Sequence, residues 1–358
     1  MEKKLPLRRG WTTGACATAA TKAAYVGLVS GRFPDPVEIT LPIGKVAFAL
    51  AVERIAEDAA TAGVVKDAGD DPDVTHGALV LATVRRGEPG SGVAFRAGAG
   101  VGTVTKPGLP VAVGEPAINP VPRRLMCDAI AEAAAALGER GDVVIELAIP
   151  NGEELAKRTL NPRLGIIGGL SILGTTGVVT PYSCSAWIAS IREGIDVARA
   201  LGLPHVAGST GTTSEATVAR FHDLPESALI DMGDFAGGML KYVRARPVPR
   251  VTIAGGFAKI AKLAQGSLDL HSQRSRLDLA RLAALASELG APAPLTDRIA
   301  AANTGLEALQ LADAAALSLA EEVARCAHVR AQEVLRDAPI ALDVLVVNRD
   351  GEPIAHAI

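Results

Sequence analysis

Residues 160–180, Leu160-Asn-Pro-Arg-Leu-Gly-Ile-Ile-Gly-Gly-Leu-Ser-Ile-Leu-Gly-Thr-Thr-Gly-Val-Val-Thr, restrict what this chain can fold into more than any other stretch. Gly165, Gly168, Gly169, Gly174 and Gly177 stand there against a single charged residue, Arg163. Glycine loses more backbone freedom on folding than any other residue, so so dense a run marks sharp bends or a place where something comes close. Two roles suit it. Its amides, with the hydroxyls of Ser171, Thr175 and Thr176, would make a donor-rich cradle for an anionic or polar group. Alternatively it is a buried turn at a domain junction.

At 358 residues the chain exceeds what one hydrophobic core usually serves, so two domains are expected. A net charge of −3 gives no overall pull toward nucleic acid or anionic membrane. Cys16, Cys127, Cys184 and Cys326 are scattered without a Cys-x-x-Cys pair, which argues against a zinc site or a disulfide framework and suits a reducing cytoplasm. The N-terminus has charges but no apolar core behind them, so no signal peptide is expected. Residues 164–191 carry no formal charge, yet glycines, hydroxyls and Pro181 break the run. It reads as a loop followed by a packed helix, not a membrane span.

Thr12 or Thr13 caps an expected helix lasting to about residue 29, and strands are expected at 37–41, 45–52, 78–85, 93–96 and 142–149, with a helix over 123–137. This is α+β patterning. After residue 180, strands at 205–208, 228–231, 251–254 and 342–347 alternate with helices, including 185–201, 257–264, 277–289 and 314–335. That alternation predicts a four-stranded parallel sheet with right-handed crossovers. The domains expected are 1–185, holding the glycine-rich stretch, and 186–358.

Three loops in the second half each follow an expected strand and precede a helix: Gly208-Ser-Thr-Gly-Thr-Thr-Ser-Glu, Asp231-Met-Gly-Asp-Phe and Gly255-Gly-Phe-Ala-Lys. Ligands of open parallel sheets bind outside the carboxyl ends of the strands. Ser209, Thr210, Gly233, Gly255 and Gly256 are therefore candidate binding residues. Glu215, Asp231 and Asp234 are candidates for accepting from ribose hydroxyls or a ligand ammonium, and Gly174 and Thr175 join them from the glycine-rich stretch.

Val65-Lys-Asp-Ala-Gly-Asp-Asp-Pro-Asp-Val-Thr-His-Gly gathers carboxylates and a histidine within ten residues. A solvated turn is its plain reading, and it fits no EF-hand. As chemistry, Asp70, Asp71 and His76 are candidates for a general base or a clamp on a polar substrate, without a metal. Basic residues beside glycine or proline recur, among them Lys66, Lys106, Arg123 and Arg163. Singly they solubilise; together they suit a substrate rich in carboxylates. The acidic net charge and scarce aromatics count against nucleic acid. His271, in Asp269-Leu-His-Ser-Gln-Arg, is a further lone acid–base candidate. No P-loop, Gly-x-Ser-x-Gly elbow or Gly-x-Gly-x-x-Gly fingerprint is present, which removes the standard P-loop, hydrolase and dinucleotide readings.

Leu7-Arg-Arg-Gly-Trp-Thr-Thr-Gly-Ala-Cys-Ala, the 65–77 run, Gly114-Glu-Pro-Ala-Ile-Asn-Pro-Val-Pro-Arg, the stretch from Ile149 through Gly177 and Asp231-Met-Gly-Asp-Phe together resemble the CbiD-type cobalt-precorrin-5B C-1 methyltransferases of cobalamin biosynthesis. Gly255-Gly-Phe-Ala-Lys departs from the Gly-His-Ile-Gly-Lys usual there, so no family role is carried to Phe257 or Ala258. The resemblance implies S-adenosylmethionine as methyl donor and a corrinoid tetrapyrrole as acceptor. It also implies a first domain like a permuted ribosomal-protein-S5 second domain, before a four-stranded parallel α/β domain. On that basis the strand-end loops are expected to hold the donor. The 160–180 stretch is expected to form a wall of the macrocycle site, and Lys66, Lys106, Arg123 and Arg163 to grip acetate and propionate arms. A homodimer is the assembly considered. The rival readings are a small-molecule kinase, whose Pro-x-x-x-Gly-Leu-Gly-Ser-Ser run is not reproduced here, and a non-catalytic corrinoid carrier.

Overall fold

In the computed structural model, which describes residues 7–358, the first half of the chain is built around one alanine-rich helix. The charged start, residues 1–6, on which the signal-peptide reading rests, lies outside the described residues. By its contacts the chain divides into two compact units, one running to Cys184 and the other Ser185–Ile358.

In the first unit a two-residue strand, β1 (Gly10–Trp11), leads into α1 (Thr13–Ser30). The Thr12 side chain caps α1 by accepting from the Ala15 amide at 3.1 Å, and Gly31 closes it in the left-handed region. α1 is buried without a break from Thr13 to Thr21, and only small side chains allow that on every face. It packs on a sheet and against α2 (Pro120–Leu137), whose prolines sit in the first turn, where no amide is needed. β2 (Val37–Leu41) and β3 (Gly44–Phe48) form a hairpin. The sheet itself holds β4 (Val52–Ile55), β5 (Ala59–Val65), β6 (Leu79–Arg86), β7 (Val93–Ala97) and β10 (Val143–Ala148), in the order β4-β5-β6-β10-β7. Only β10–β7 is parallel. The β4–β5 hairpin was not expected from sequence. β5 reads Ala-Ala-Thr-Ala-Gly-Val-Val because α1 lies on it, and small side chains mute the strand signal.

Four short strands explain the glycine-rich stretches. β8 (Gly100–Val101) pairs with β12 (Gly169–Leu170), and β9 (Thr103–Val104) with β11 (Ile166–Ile167); α3 (Gly152–Ala156) lies beside them, and β13 (Val178–Val179) pairs with β1. A β-carbon on Gly169 would stand 2.2 Å from the Gly100 carbonyl carbon, and one on Gly100 would stand 2.0 Å from the Ile149 oxygen. The glycines therefore let main chain lie on main chain, inside the first unit.

The second unit opens with α4 (Cys184–Ala200) and carries a five-stranded sheet: β14 (His205–Ser209), β15 (Leu229–Asp231), β16 (Arg250–Gly256), β17 (Ala341–Val347) and β18 (Pro353–Ala357), in the order β15-β14-β16-β17-β18. β15, β14, β16 and β17 are mutually parallel, and β18 is an antiparallel edge that the four-strand expectation lacked. α5 (Thr212–His222), α6 (Ala236–Ala245) and α7 (Phe257–Ala264) follow β14, β15 and β16. α8 (Leu279–Glu288), α9 (Ala293–Ala300), α10 (Gly305–Asp313) and α11 (Leu319–Leu335) come before β17. α9 and α10 were unexpected, and α11 starts five residues later than the pattern suggested. Ala314, Ala315 and Ala316 look helical in composition but form the turn after α10, with Ala316 at φ +54°. No helix among the described residues is long and apolar enough to cross a membrane; the uncharged 164–191 run is divided among β11, β12, β13 and the start of α4.

Gly100→Ala places a β-carbon against backbone that cannot retreat, at φ +75°, and is expected to cost about 3–5 kcal/mol in urea unfolding. Gly44→Ala, at φ +117° with nothing within 4 Å, is expected to cost only about 1–2 kcal/mol. Equal costs would contradict the role given to close main-chain approach.

Candidate active site

Segments far apart in sequence meet at the N-terminal end of α1. The Arg8 guanidinium forks onto the Asp67 carboxylate, its second bond measuring 2.9 Å. The Arg8 amide donates to Asp70 Oδ2 at 2.6 Å, the Asp70 amide returns to the Arg8 oxygen at 3.0 Å, and the Trp11 amide donates to the Asp67 oxygen at 2.7 Å. A β-carbon on Gly10 would stand 2.0 Å from the Ala68 carbonyl carbon. From the other side, the Thr12 amide donates to Gly177 and the Gly14 amide to Leu173, while the Tyr182 amide donates to Asp71 Oδ1 at 2.9 Å. α2 begins at the same place: a β-carbon on Gly14 would meet Pro122 Cγ at 2.8 Å, and the Asn119 amide donates to Ile172. The 8–14, 67–77, 114–123 and 171–182 runs are thus one locus.

Within it the expected residues take different parts. Asp70 and Asp71 accept backbone amides. His76 is exposed, and its Nδ1 accepts the Ala68 amide at 3.1 Å, so a neutral ring carries its proton on Nε2. Lys66 is buried, at 2% exposure; its ammonium is held by Asp73 and the Thr75 hydroxyl, so a ligand reaches it only by displacing them. Burial raises the Asp73 carboxyl, but the charge and hydrogen bond of Lys66 and the bonds from Thr75 outweigh it and leave the group below its ordinary range. Arg123 bridges the Ile118, Pro116 and Glu115 oxygens at 2.9, 3.1 and 3.1 Å and lies over the Phe95 ring, which makes it the clamp of the 115–118 loop. Lys106 reaches back to the Arg163 carbonyl at 3.0 Å. For Lys66 and Arg123 the structure therefore supplies internal partners where substrate carboxylates were expected. Among the described residues, Arg9, beside Arg8, and Arg124, next to Arg123 on α2, are exposed cations on the segments that meet here. Gly174, at φ +128°, admits Thr12, since a β-carbon there would stand 2.3 Å from Thr12 Cβ; its freedom serves the α1 cap. Thr175 is exposed.

In the second unit, crossovers leave β14 and β16 toward opposite edges of the sheet, the topology at whose switch point open parallel sheets bind ligands, outside the carboxyl ends of the strands. Ser209, Thr210, Gly255 and Gly256 lie there. The Thr210 amide donates to Ala254 at 3.0 Å, and the Gly233 amide to the Ser209 oxygen at 3.0 Å. A β-carbon on Gly255 would stand 2.8 Å from Thr210 Oγ1, so Gly255 makes room for Thr210, while one on Gly256 would meet only the Val347 oxygen, at 4.0 Å. Ser209 is 1% exposed, and its buried Oγ has no hydrogen-bond partner. α5, α6 and α7 all start at this edge, with Gly211, Phe235 and Gly256 at the N-cap providing no side-chain bond; in α6 the Gly237 amide is taken by the Leu268 oxygen at 2.8 Å, which leaves the first turns of α5 and α7 to offer amides to a ligand. Glu215 stands in the first turn of α5. Asp234 is ion-paired with Lys259, whose ammonium also reaches the Leu270 oxygen at 3.2 Å.

Trp187 was not expected from sequence. Its indole N–H donates to the Asp231 oxygen at 3.0 Å, and its ring lies 3.1 Å from where a Gly233 β-carbon would be. The available signal was its rarity, since the chain has two tryptophans. A tryptophan face, the uncapped starts of α5 and α7, an unpaired hydroxyl and the Glu215 and Asp231 positions make an edge suited to a ligand with an aromatic ring, hydroxyls and an anionic end.

Comparison with known proteins gives one consistent family. The model described as CbiD matches residues 1–181, and the one described as CbiD, C-terminal domain, matches 269–357. Among curated relatives, a cobalt-precorrin-5B C(1)-methyltransferase of Paramagnetospirillum magneticum is 61% identical over 358 residues, covering 100% of both chains. Others of that name, from Bradyrhizobium sp. strain BTAi1 and Halorhodospira halophila, are 60% and 61% identical, over 99% and 98% of this chain and 94% of each relative. A crystal structure titled cobalamin biosynthesis protein (cbiD), from Archaeoglobus fulgidus, is 28% identical, covers 75% of this chain and 83% of its own, and superposes with a TM-score of 0.41.

Asp67 generates a pH prediction. The hydrogen bonds from Arg8 first and the Gly69 amide second hold its carboxyl at about 2. A carboxyl depressed in the folded state stabilises fully above its unfolded value near ~4 and loses that contribution as pH falls toward the folded value. Being half exposed, the pair is worth only about 0.2–1 kcal/mol. Asp67→Asn should therefore be less stable than the parent at neutral pH, and the gap should close as pH drops below about 4 in stepped-pH urea unfolding.

Proposed function

The chain belongs to the CbiD family, and from that premise we propose that it transfers the methyl group of S-adenosylmethionine to carbon-1 of cobalt-precorrin-5B in cobalamin biosynthesis. The observation that carries this is the 60–61% identity to methyltransferases of that name across the whole chain. When bound, S-adenosylmethionine supplies an electrophilic methyl on sulfur. The carboxyl edge of the second unit's sheet fits such a donor. The orphaned Ser209 hydroxyl gains a partner there, the first amides of α5 and α7 face an anionic carboxylate, Glu215 and Asp231 suit ribose hydroxyls, and Trp187 offers an apolar face.

For the acceptor, the α1–α2 locus of the first unit is the better candidate. Its exposed Arg9 and Arg124 suit the carboxylate arms of a corrinoid, whereas Lys66 and Arg123 hold the scaffold that presents them. Asp70, Asp71 and His76 line the same locus, with the exposed Nε2–H edge of His76 as the group able to give a proton. The family resemblance also supports reading the first unit as a permuted ribosomal-protein-S5 second domain. The four free cysteines suit action in the cytoplasm.

Isothermal titration of the full chain with S-adenosylmethionine and S-adenosylhomocysteine is expected to show saturable binding of both, accompanied by a change in Trp187 emission. Ser209→Val should weaken that binding about tenfold. Silence toward both ligands at millimolar concentration would overturn the reading. In the methyl-transfer assay, Arg9→Ala with Arg124→Ala is expected to raise KM for the corrinoid at least about tenfold, leaving the donor's Kd unchanged. Equal effects on both would remove the division of labour.

A further inference from the structure

Three of the six histidines gather at the opposite end of the second sheet, where the parallel strands begin. His205 opens β14, His222 ends α5, His356 lies on β18, and Asp343 sits near the start of β17. His222 Nε2 and His356 Nε2 stand 3.4 and 3.5 Å from the same oxygen, Asp343 Oδ2. His205 Nε2 is 2.8 Å from the Thr252 hydroxyl, which is itself 3.3 Å from both His222 Nε2 and Asp343 Oδ2. Donor atoms of His205, His222 and Asp343 all fall within 4.8 Å of one another. Asp343 is almost fully buried, and the Arg250 guanidinium also lies on its Oδ2.

We propose that His205, His222, Asp343 and His356 form a four-coordinate site for a zinc-class divalent cation that clamps the amino end of this sheet. Ligand atoms about 2.0–2.1 Å from a tetrahedral ion are about 3.3–3.4 Å apart, and two imidazoles on one ion hold their centroids about 5 Å apart. The 3.4 and 3.5 Å separations match the first spacing. The centroid separations of 4.7 Å for His205–His222 and 5.9 Å for His222–His356 straddle the second. Burial first, then His222 and Arg250, hold His205 neutral down to about 4, the form in which imidazole ligates. The simpler account is an Arg250–Asp343 ion pair with bystander histidines. A buried carboxylate needs only one counter-charge, however, and that account leaves unexplained why the His222 and His356 nitrogens stand 3.4 and 3.5 Å from the same oxygen with His205 within 4.8 Å. Arg250, 40% exposed, can release Oδ2 to the ion and turn toward solvent. Nitrogen and oxygen donors without an open position or sulfur suit a structural Zn2+, and the ion would tie β14, α5, β17 and β18 together.

The test uses tag-free full-length protein stripped with chelator and titrated with Zn2+ alone. One equivalent is expected to bind at micromolar Kd or tighter, raising Tm by about 5–10 °C at a hundredfold excess over Kd. Co2+ as a substitute should give the intense visible absorption of four-coordinate geometry. His356→Gln and His205→Gln should each weaken binding at least about tenfold, while Tm in chelator stays close to the parent's. Absence of binding near about 100 μM Zn2+, unchanged affinity in both variants, or a six-coordinate Co2+ spectrum would each overturn the site.

Discussion

Main chain pressed against main chain, with no room for a methyl group between, is what the first unit depends on. Gly10 against Ala68, Gly69 against Arg8, Gly100 against Ile149, and Gly169 against Gly100 all leave a would-be β-carbon within 2.0–2.2 Å of backbone atoms. At such distances a substitution displaces a segment, not a side chain. Hydrogen bonds then fix each approach, as with the Trp11 amide on Asp67 and the Thr12 amide on Gly177. Runs that are remote in sequence are thereby held at the start of α1 by what they lack, and the few side chains that project from them are fixed in position.

The same constraint decides which signals could be read from the sequence. Caps and periodic strands were legible: Thr12 and Gly31 bound α1, the α7 limits match the expected 257–264, and β14, β16 and β17 lie where apolar runs sit between turns. β5 was not, because packing under α1 filled it with alanine and glycine, residues that carry no strand signal. α9 and α10 were hidden by their shortness, and β18 by His356 and Pro353 in an edge strand.

For the candidate sites, residue type was legible and partner was not. Lys66 and Arg123 look like surface cations in sequence, yet Asp73 with Thr75, and the oxygens of residues 115–118, claim them. The nearest such partner, Asp73, lies in the same acidic run, but nothing in its spacing separates a buried pair from a solvated turn. Asp343 and the histidines around it are scattered from 205 to 356, and only the order of strands brings them together.

The first-unit locus holds its acidic candidates through backbone bonds, and this bears on what drives methyl transfer. Asp70 and Asp71 each accept an amide, and His76 Nδ1 accepts another while standing 3.8 Å from Asp67 Oδ1, so neither Asp70 nor Asp71 is hydrogen-bonded to the imidazole. Alignment of two bound reactants can supply about 7–11 kcal/mol of barrier reduction, against about 3–5 kcal/mol from one general base. A sulfonium methyl is already electrophilic, so the larger contribution needs rigidity more than proton transfer. A locus tied down by the Arg8–Asp67 fork, glycine contacts and helix caps has that rigidity.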